Sequence, residues 1–192
     1  MDRRVKKSIA TLKEALISLM VEKEFREITI SEIVQRADLN RGTFYKHFQY
    51  KEDLFNDVID DVMNDLIESY QAPYKTIEVL DIERLQSSTI RIFHHVENHR
   101  TFYQMILKPT ALSGFQNRLG TVIKQLSLED LLVGSDDKAI NKDLLASYHA
   151  YSILGMIIQW VQDEFKNTPE YMAEQLVKII HYRPIGVTVP KK

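Results

Sequence analysis

The sequence contains no cysteine, which excludes disulfide frameworks, thiolate metal sites and cysteine nucleophiles. Its six glycines are not gathered into a phosphate-cradling loop, and it has neither a G-x-S-x-G elbow nor an H-E-x-x-H pair. These absences argue against an enzyme. Neither sign of charge dominates, since 25 Lys and Arg stand against 27 Asp and Glu. Long apolar runs are missing too; the richest, Ala150 to Val161, is well short of the roughly 20 residues a membrane span needs. Met1-Asp2-Arg3-Arg4 leads directly into alternating charge without the apolar stretch of a signal peptide. A cytoplasmic protein without membrane attachment is expected. What is present, 44% hydrophobic and 27% charged residues over 192 positions, suits one or two globular domains with a real core.

The small net charge is unevenly spread. Residues 1–51 carry 11 Lys and Arg against 7 Asp and Glu, whereas residues 52–192 carry 14 against 20. A basic head on an acidic body places any polyanionic partner at the head.

Periodicity reads as helix throughout. Val5, Ile9, Leu12, Leu16 and Leu19 recur at spacings of three and four, predicting a first helix over 3–22. Thr29-Ile30-Ser31-Glu32 fits a capping box and opens a second, ending near Asp38. Asn40 caps a short third helix reaching His47 or Phe48. A long fourth helix spans about 51–70, with Leu54, Phe55, Val58, Ile59, Val62, Leu66 and Ile67 inward. Its opposite face, with Asp57, Asp60, Asp61, Asp65 and Glu68, reads as a solvated surface. After a connector at 71–79, further helices are expected at about 82–97, 101–107, 112–128, 142–165 and 169–182. Pro109, Gly134-Ser135 and Thr168-Pro169 punctuate them. No β-ladder, repeat or low-complexity segment is evident.

The functional information concentrates between Thr29 and Leu54. Two short helices joined by a tight turn make a helix-turn-helix, whose second helix enters the DNA major groove. Ile30, Ile33 and Val34 supply the inward face of the bracing helix, Ala37 allows close approach, and Phe44 and Phe48 anchor the third helix. Arg41, Gly42, Thr43, Tyr45, Lys46 and His47 are left facing outward or at the helix start.

These residues carry a resemblance. The block Arg41-Gly42-Thr43-Phe44-Tyr45-Lys46-His47-Phe48, with Ile30-Ser31-Glu32-Ile33-Val34 before it and Lys51-Glu52-Asp53-Leu54 after it, resembles the DNA-binding domain of TetR-family regulators. The resemblance covers residues 5–55 clearly and the remainder mainly in helix number and order. It implies an all-α fold in which residues 1–50 form the helix-turn-helix domain. Residues 51–183 would then form a helical effector-binding and dimerisation domain, with 184–192 a flexible tail. It also implies that Thr29, Tyr45, His47 and Lys51 contact phosphate, that Gly42 permits close approach and that Arg41 and Thr43 face bases. The chemistry agrees: Arg can grip a guanine edge in two places, and Thr offers a hydroxyl and a methyl. Two positions depart from the pattern. Asp38 replaces a common turn glycine but tolerates positive φ, and Tyr50 replaces a small polar cap worth about 1 kcal/mol.

Regulators of this family dimerise through their last two helices. Residues 148–161 are apolar almost all round, as a helix buried on every side would be. Tyr151, Leu154, Gly155, Ile158, Met172, Leu176, Ile179 and Ile180 are therefore the candidate dimer residues. Gly155-x4-Trp160 followed by Thr168-Pro169-Glu170-Tyr171-Met172-Ala173 resembles one subgroup of TetR-like C-terminal domains. Candidate effector-pocket residues are Phe93, Phe102, Tyr103, Leu107, Phe115, Tyr148 and Tyr151; ordinary core packing is an equally good reading of each. His95 and His99 have the spacing of a two-His metal site, but no third ligand is evident beyond Glu97, which points elsewhere. Together with His94 they read as a polar surface or pocket edge, so no metal or cofactor is assigned.

The sequence thus predicts a homodimeric transcription regulator, expected to be a repressor, that binds a palindromic double-stranded operator and answers to a small-molecule effector. The alternatives are a TetR-like protein, activators included, controlled by a protein partner, and more distantly an enzyme with a pocket in the helical body.

Overall fold

The computed structural model describes residues 3–74, 86–107, 114–131 and 140–182. Among them the regular structure is helical, without strands. In chain order the α-helices are α1 (Arg3–Glu22), α2 (Ile30–Arg36), α3 (Arg41–Tyr45), α4 (Lys51–Gln71), α5 (Ile92–Asn98), α6 (Arg100–Ile106), α7 (Phe115–Leu131), α8 (Lys142–Gln162) and α9 (Pro169–His181). The expected tail at 184–192 and the expected helix start at 82 lie outside the described residues. Within them, α5 begins at Ile92, later than the periodicity suggested. Ser87–Thr89 form a single 3-10 turn, and Ile90 leaves helical geometry (φ −85°, ψ 104°) to bury its side chain.

The head assembles around the stripe predicted for α1. Leu12, Leu16 and Leu19 are buried in one continuous core with Ile33 and Val34 of α2, Phe44 of α3, Phe48, and Leu54 and Phe55 of α4. Burying each such side chain contributes about 1.5–3 kcal/mol before chain entropy is counted. Ion pairs tie the same elements together outside. Arg36 grips Glu22 through two 2.9 Å bonds, and Lys13, almost enclosed, pairs with Asp57 (2.8 Å) and Asp61 (2.6 Å) of α4.

The body continues from α4. Its Val58, Ile59, Val62, Met63 and Leu66 face Phe93 and Val96 of α5, Phe102, Tyr103 and Ile106 of α6, and Phe115, Leu119 and Ile123 of α7 within that core. α7 and α8 pack extensively along their length. Trp160 anchors the far end: it stacks edge-on to Phe93 and Phe165, and its Nε1–H donates to the Asn167 carbonyl at 3.0 Å. The turn after α8 holds Glu164 and Phe165 both at positive φ, a strained pair. Phe165 N–H donates back to Trp160 O, while the Arg100 guanidinium donates to Glu164 O and lies 4.5 Å from the Phe165 ring.

Candidate nucleic-acid interface

The turn between α2 and α3 explains how the presumed recognition helix is aimed. Thr29 and Glu32 complete the predicted capping box at the start of α2. At its end Leu39 N–H donates to Val34 O and Asp38 N–H to Gln35 O, which is a Schellman motif with Asp38 in the left-handed position at φ 52°. Asn40 then caps α3, its Oδ1 accepting from Thr43 N–H at 2.8 Å and from the Thr43 hydroxyl at 3.1 Å. α3 ends at Tyr45, short of the expected His47 or Phe48, and the chain leaves it through a turn in which His47 and Phe48 N–H both donate to Phe44 O.

Phe44 and Phe48 point into the core, and this fixes what faces out. Arg41, Gly42, Tyr45 and Lys46 are exposed, with Tyr45 at 54%, while Thr43 and His47 are half-buried. Among the described residues, Arg41 and Lys46 have no ion-pair partner, in contrast to Lys13, Lys23 and Arg36 of the same head. A Cβ at Gly42 would stand 3.2 Å from Asn40 Oδ1, so glycine here spares the cap as well as the outer surface. Thr29 and Thr43 are partly committed, since each hydroxyl donates within its cap.

Lys51 behaves differently from the expectation of a phosphate-contacting side chain. Its ammonium donates to the carbonyls of Phe25 (2.8 Å), Arg26 (3.1 Å) and Ile28 (2.7 Å), and lies 4.7 Å from the Phe25 ring. Three donors meet three acceptors, so what remains for an anion at this position is the backbone N–H at the start of α4. The missing Tyr50 cap is offset by Asp53, whose carboxylate accepts from Gln49 and Tyr50 N–H groups at 3.0 and 2.8 Å.

The expected effector pocket does not form around its seven candidates. Phe93, Phe102, Tyr103, Leu107 and Phe115 are buried and interlock, with Phe102 edge-on to Tyr103 and to Phe115 at 5.7 and 5.4 Å. Tyr148 and Tyr151 stand outside at 67% and 59% exposure, because α8 turns the opposite face to the core. An open cleft of about 320 Å³ lies instead between head and body. Phe25, Glu52, Phe55, Asn56 and Ile59, the last four on α4, line it together with Ile106, Gly114, Phe115 and Arg118.

The dimer candidates also divide. Leu154, Met172 and Leu176 are spent on the subunit's own core, whereas Tyr151, Gly155, Ile179 and Ile180 are exposed and Ile158 is half-buried. Leu144, Tyr148, Tyr151 and Gly155 recur at helical spacing along one outward face of α8, and Leu144 and Tyr148 had been missed as candidates for it.

The acidic face of α4 is not simply solvated. Besides the Lys13 pairs, Asp60 meets Arg118, and Asp65 reaches two histidines. Asp65 Oδ2 lies 2.7 Å from His95 Nδ1 and 3.0 Å from His99 Nε2, so the third acidic partner absent from the local sequence arrives from 30 residues earlier. Burial pushes His95 down to about 4 against the pull of Asp65, leaving the ring neutral near pH 7. Its Nδ1–H then donates to Asp65, and its Nε2 accepts from the Tyr103 hydroxyl at 3.0 Å. Burial would raise Asp65, but the bonds from His95 and His99 hold it below the usual carboxylate range. Burial and then the Asp65 charge push the Tyr103 phenol upward. His94 belongs to a different contact, with Glu170 at 3.0 Å.

A helix-turn-helix that exposes Arg41 and Lys46 without an ion-pair partner among the described residues, carried by a helical body, is the architecture of a DNA-binding regulator. Residues 13–58 match the family described as bacterial regulatory proteins, tetR family, and residues 83–182 match the transcriptional regulator C-terminal region. The chain belongs to the TetR family of transcriptional regulators. It is 22% identical over 188 residues to an uncharacterized HTH-type transcriptional regulator, YxbF, of Bacillus subtilis, covering 94% of this chain and 48% of that one. Over 105 residues it is 29% identical to the HTH-type dhaKLM operon transcriptional activator DhaS of Lactococcus lactis, covering 53% and 51%. The chain spans about half the length of the curated relatives it matches. A putative TetR-family regulator from Syntrophomonas wolfei superposes with a TM-score of 0.73 at 17% identity, over 91% of this chain and 93% of that one.

Proposed function

We propose that the chain acts as a homodimer that reads a two-fold symmetric operator and represses transcription until a small molecule enters the cleft between head and body. The observation that carries the dimer is exposed apolar surface on the last two helices: Tyr148 and Tyr151 stand with Gly155 along one outward face of α8, and Ile179 and Ile180 are exposed on α9. Among the described residues, no atom of another element lies within 4 Å of a Cβ built on Gly155, so a second helix can approach closely there. α8 is long and apolar enough to cross a bilayer by length and composition, but its other face is committed to the core through Ala146, Ala150, Leu154 and Ile157. A partner subunit accounts for the uncovered half.

At the DNA, Arg41 and Thr43 read base edges while Tyr45, Lys46, His47, the α4 backbone N–H at Lys51 and the region of Thr29 meet phosphate. The two copies of α3 would lie about 34–36 Å apart, one turn of duplex. The cleft supports the effector reading because it touches α4 directly, and its volume is at the lower end of small-molecule sites. A ligand wedged between Phe55 and Phe115 would tilt α4 and change the spacing of the recognition helices.

The test pairs sedimentation of the full chain with selection of bound sequences from a random duplex pool. A dimer at micromolar concentration and a palindromic selected site support the proposal; a monomer, or a single half-site, overturns it. The similarity to DhaS, a transcriptional activator, favours a second reading in which operator binding recruits rather than blocks transcription. Transcript levels of the operator-linked gene with and without the protein separate the two. The interlocked body keeps a protein partner open as the controlling signal, and it replaces the small molecule if no metabolite in a library titration shifts operator affinity.

A further inference from the structure

Among the described residues, Asp65, His95 and His99 bring one ligand atom each within 4.8 Å of one another. Two imidazoles and one carboxylate are the donor set that holds a divalent transition cation, with the remaining positions left to water. We propose that Asp65, His95 and His99 form a binding site for a divalent first-row cation such as Zn²⁺, fastening α4 to the junction of α5 and α6.

Geometry, access and partners all support the assignment. Ligand atoms around a four-coordinate Zn²⁺ stand roughly 3.3 Å apart for bonds near 2.0 Å. Here the two nitrogens lie 2.7 and 3.0 Å from Asp65 Oδ2, so an entering cation requires only a few tenths of an ångström of opening on those sides. The histidine side closes by movement of His99, which reaches solvent and sits between α5 and α6 with non-helical backbone (φ −103°, ψ 27°). Access is one-sided. His95 is buried beneath the cluster, whereas Asp65 and His99 reach solvent and leave room for water ligands.

The inner side is already organised as a ligating histidine requires. Coordination through His95 Nδ1 moves its proton to Nε2, which faces the Tyr103 hydroxyl at 3.0 Å and donates to it. The donor set also discriminates: Mg²⁺ and Ca²⁺ want oxygen ligands, and a monovalent soft cation wants the thiolates this chain lacks.

The experiment is calorimetric titration of the untagged, chelator-stripped full chain with ZnCl₂, repeated with CoCl₂ while visible absorption is followed. One saturable equivalent per chain is expected, with a Co²⁺ band displaced by Zn²⁺ and a higher Tm when either ion is bound. Asp65→Asn and His99→Ala, both at solvent-reaching positions, should each weaken Zn²⁺ at least tenfold, while His94→Ala, which removes only the Glu170 contact, should not. Imidazole NMR of the unaltered chain keeps the test independent of variant folding: Zn²⁺ must shift the rings of His95 and His99. Absence of one-equivalent binding, unchanged affinity in both Asp65→Asn and His99→Ala, or shifts confined to other histidines would each overturn the proposal and leave a hydrogen-bonded network between α4 and α5.

Discussion

Arg41 and Lys51 are both cations at the DNA end of the head, yet their surroundings assign them different work. Arg41 is exposed with no ionic partner among the described residues, so its guanidinium is free to grip a base edge. Arg41→Ala should relax preference at one base pair by about 1–3 kcal/mol while other positions keep their preference. Binding selections on both proteins would check this; an unchanged sequence logo removes Arg41 from base reading. Lys51 is consumed by three carbonyls of the turn after α1. Lys51→Met should therefore cost roughly 1.5–3 kcal/mol of stability, as the loss of hydrogen bonds to a charged group does. The slope of DNA affinity against salt should stay nearly as it was, whereas a phosphate-bound lysine would change that slope by about one. Urea unfolding and salt titrations distinguish the two.

At the scale of elements, the head is held by caps and turns more than by helix length. Lys23 and the Thr29 hydroxyl and N–H hold Glu32 down from 4.5 to about 2. The folded value is depressed, so the contribution of Glu32 is complete above pH 4.5 and disappears as pH falls toward 2. The difference in Tm between Glu32→Gln and the unaltered chain should accordingly shrink across that window and be constant above it. Asp38 tests the turn. At φ 52° it completes the Schellman motif in a conformation that glycine adopts without strain. Asp38→Gly should raise stability by about 0.5–1 kcal/mol without altering operator sequence, whereas Asp38→Val should lower it by more. Chemical denaturation with m-values checks that only the turn energy moved.

In the proposed dimer the whole molecule turns on two surfaces, the outer face of α3 and the exposed apolar residues of α8 and α9. Gly155 permits a separation of folding from assembly, because a Cβ there meets no atom of another described element within 4 Å. Gly155→Arg should keep the helical circular dichroism signal but sediment as a monomer at micromolar concentration. DNA affinity would then fall sharply, since two half-sites would no longer be read together. Retention of a dimer by Gly155→Arg would move the interface elsewhere.

What the sequence determined by itself is what is local. The α1 stripe, the Thr29–Glu32 box, the Asn40 cap and the Phe44–Phe48 anchor each depend on residues within a turn or two, and helical spacing alone sorts them into faces. Which residues are exposed around α3 was legible for the same reason: once Phe44 and Phe48 face inward, Arg41, Tyr45 and Lys46 have nowhere else to go. Tertiary structure decided whatever depends on partners distant along the chain. Lys51 is drawn to carbonyls 23 to 26 residues earlier, which no spacing rule announces. Tyr148 and Tyr151 have the amphiphilic character of pocket residues, and they are left exposed because α8 buries Ala146, Ala150, Leu154 and Ile157 instead. Asp65 appeared as one carboxylate among several on a polar face, and it joined His95 and His99 only because α4 and α5 pack side by side. Periodicity encodes which face of a helix is buried, but not which other helix covers it; that choice is made by the whole core at once.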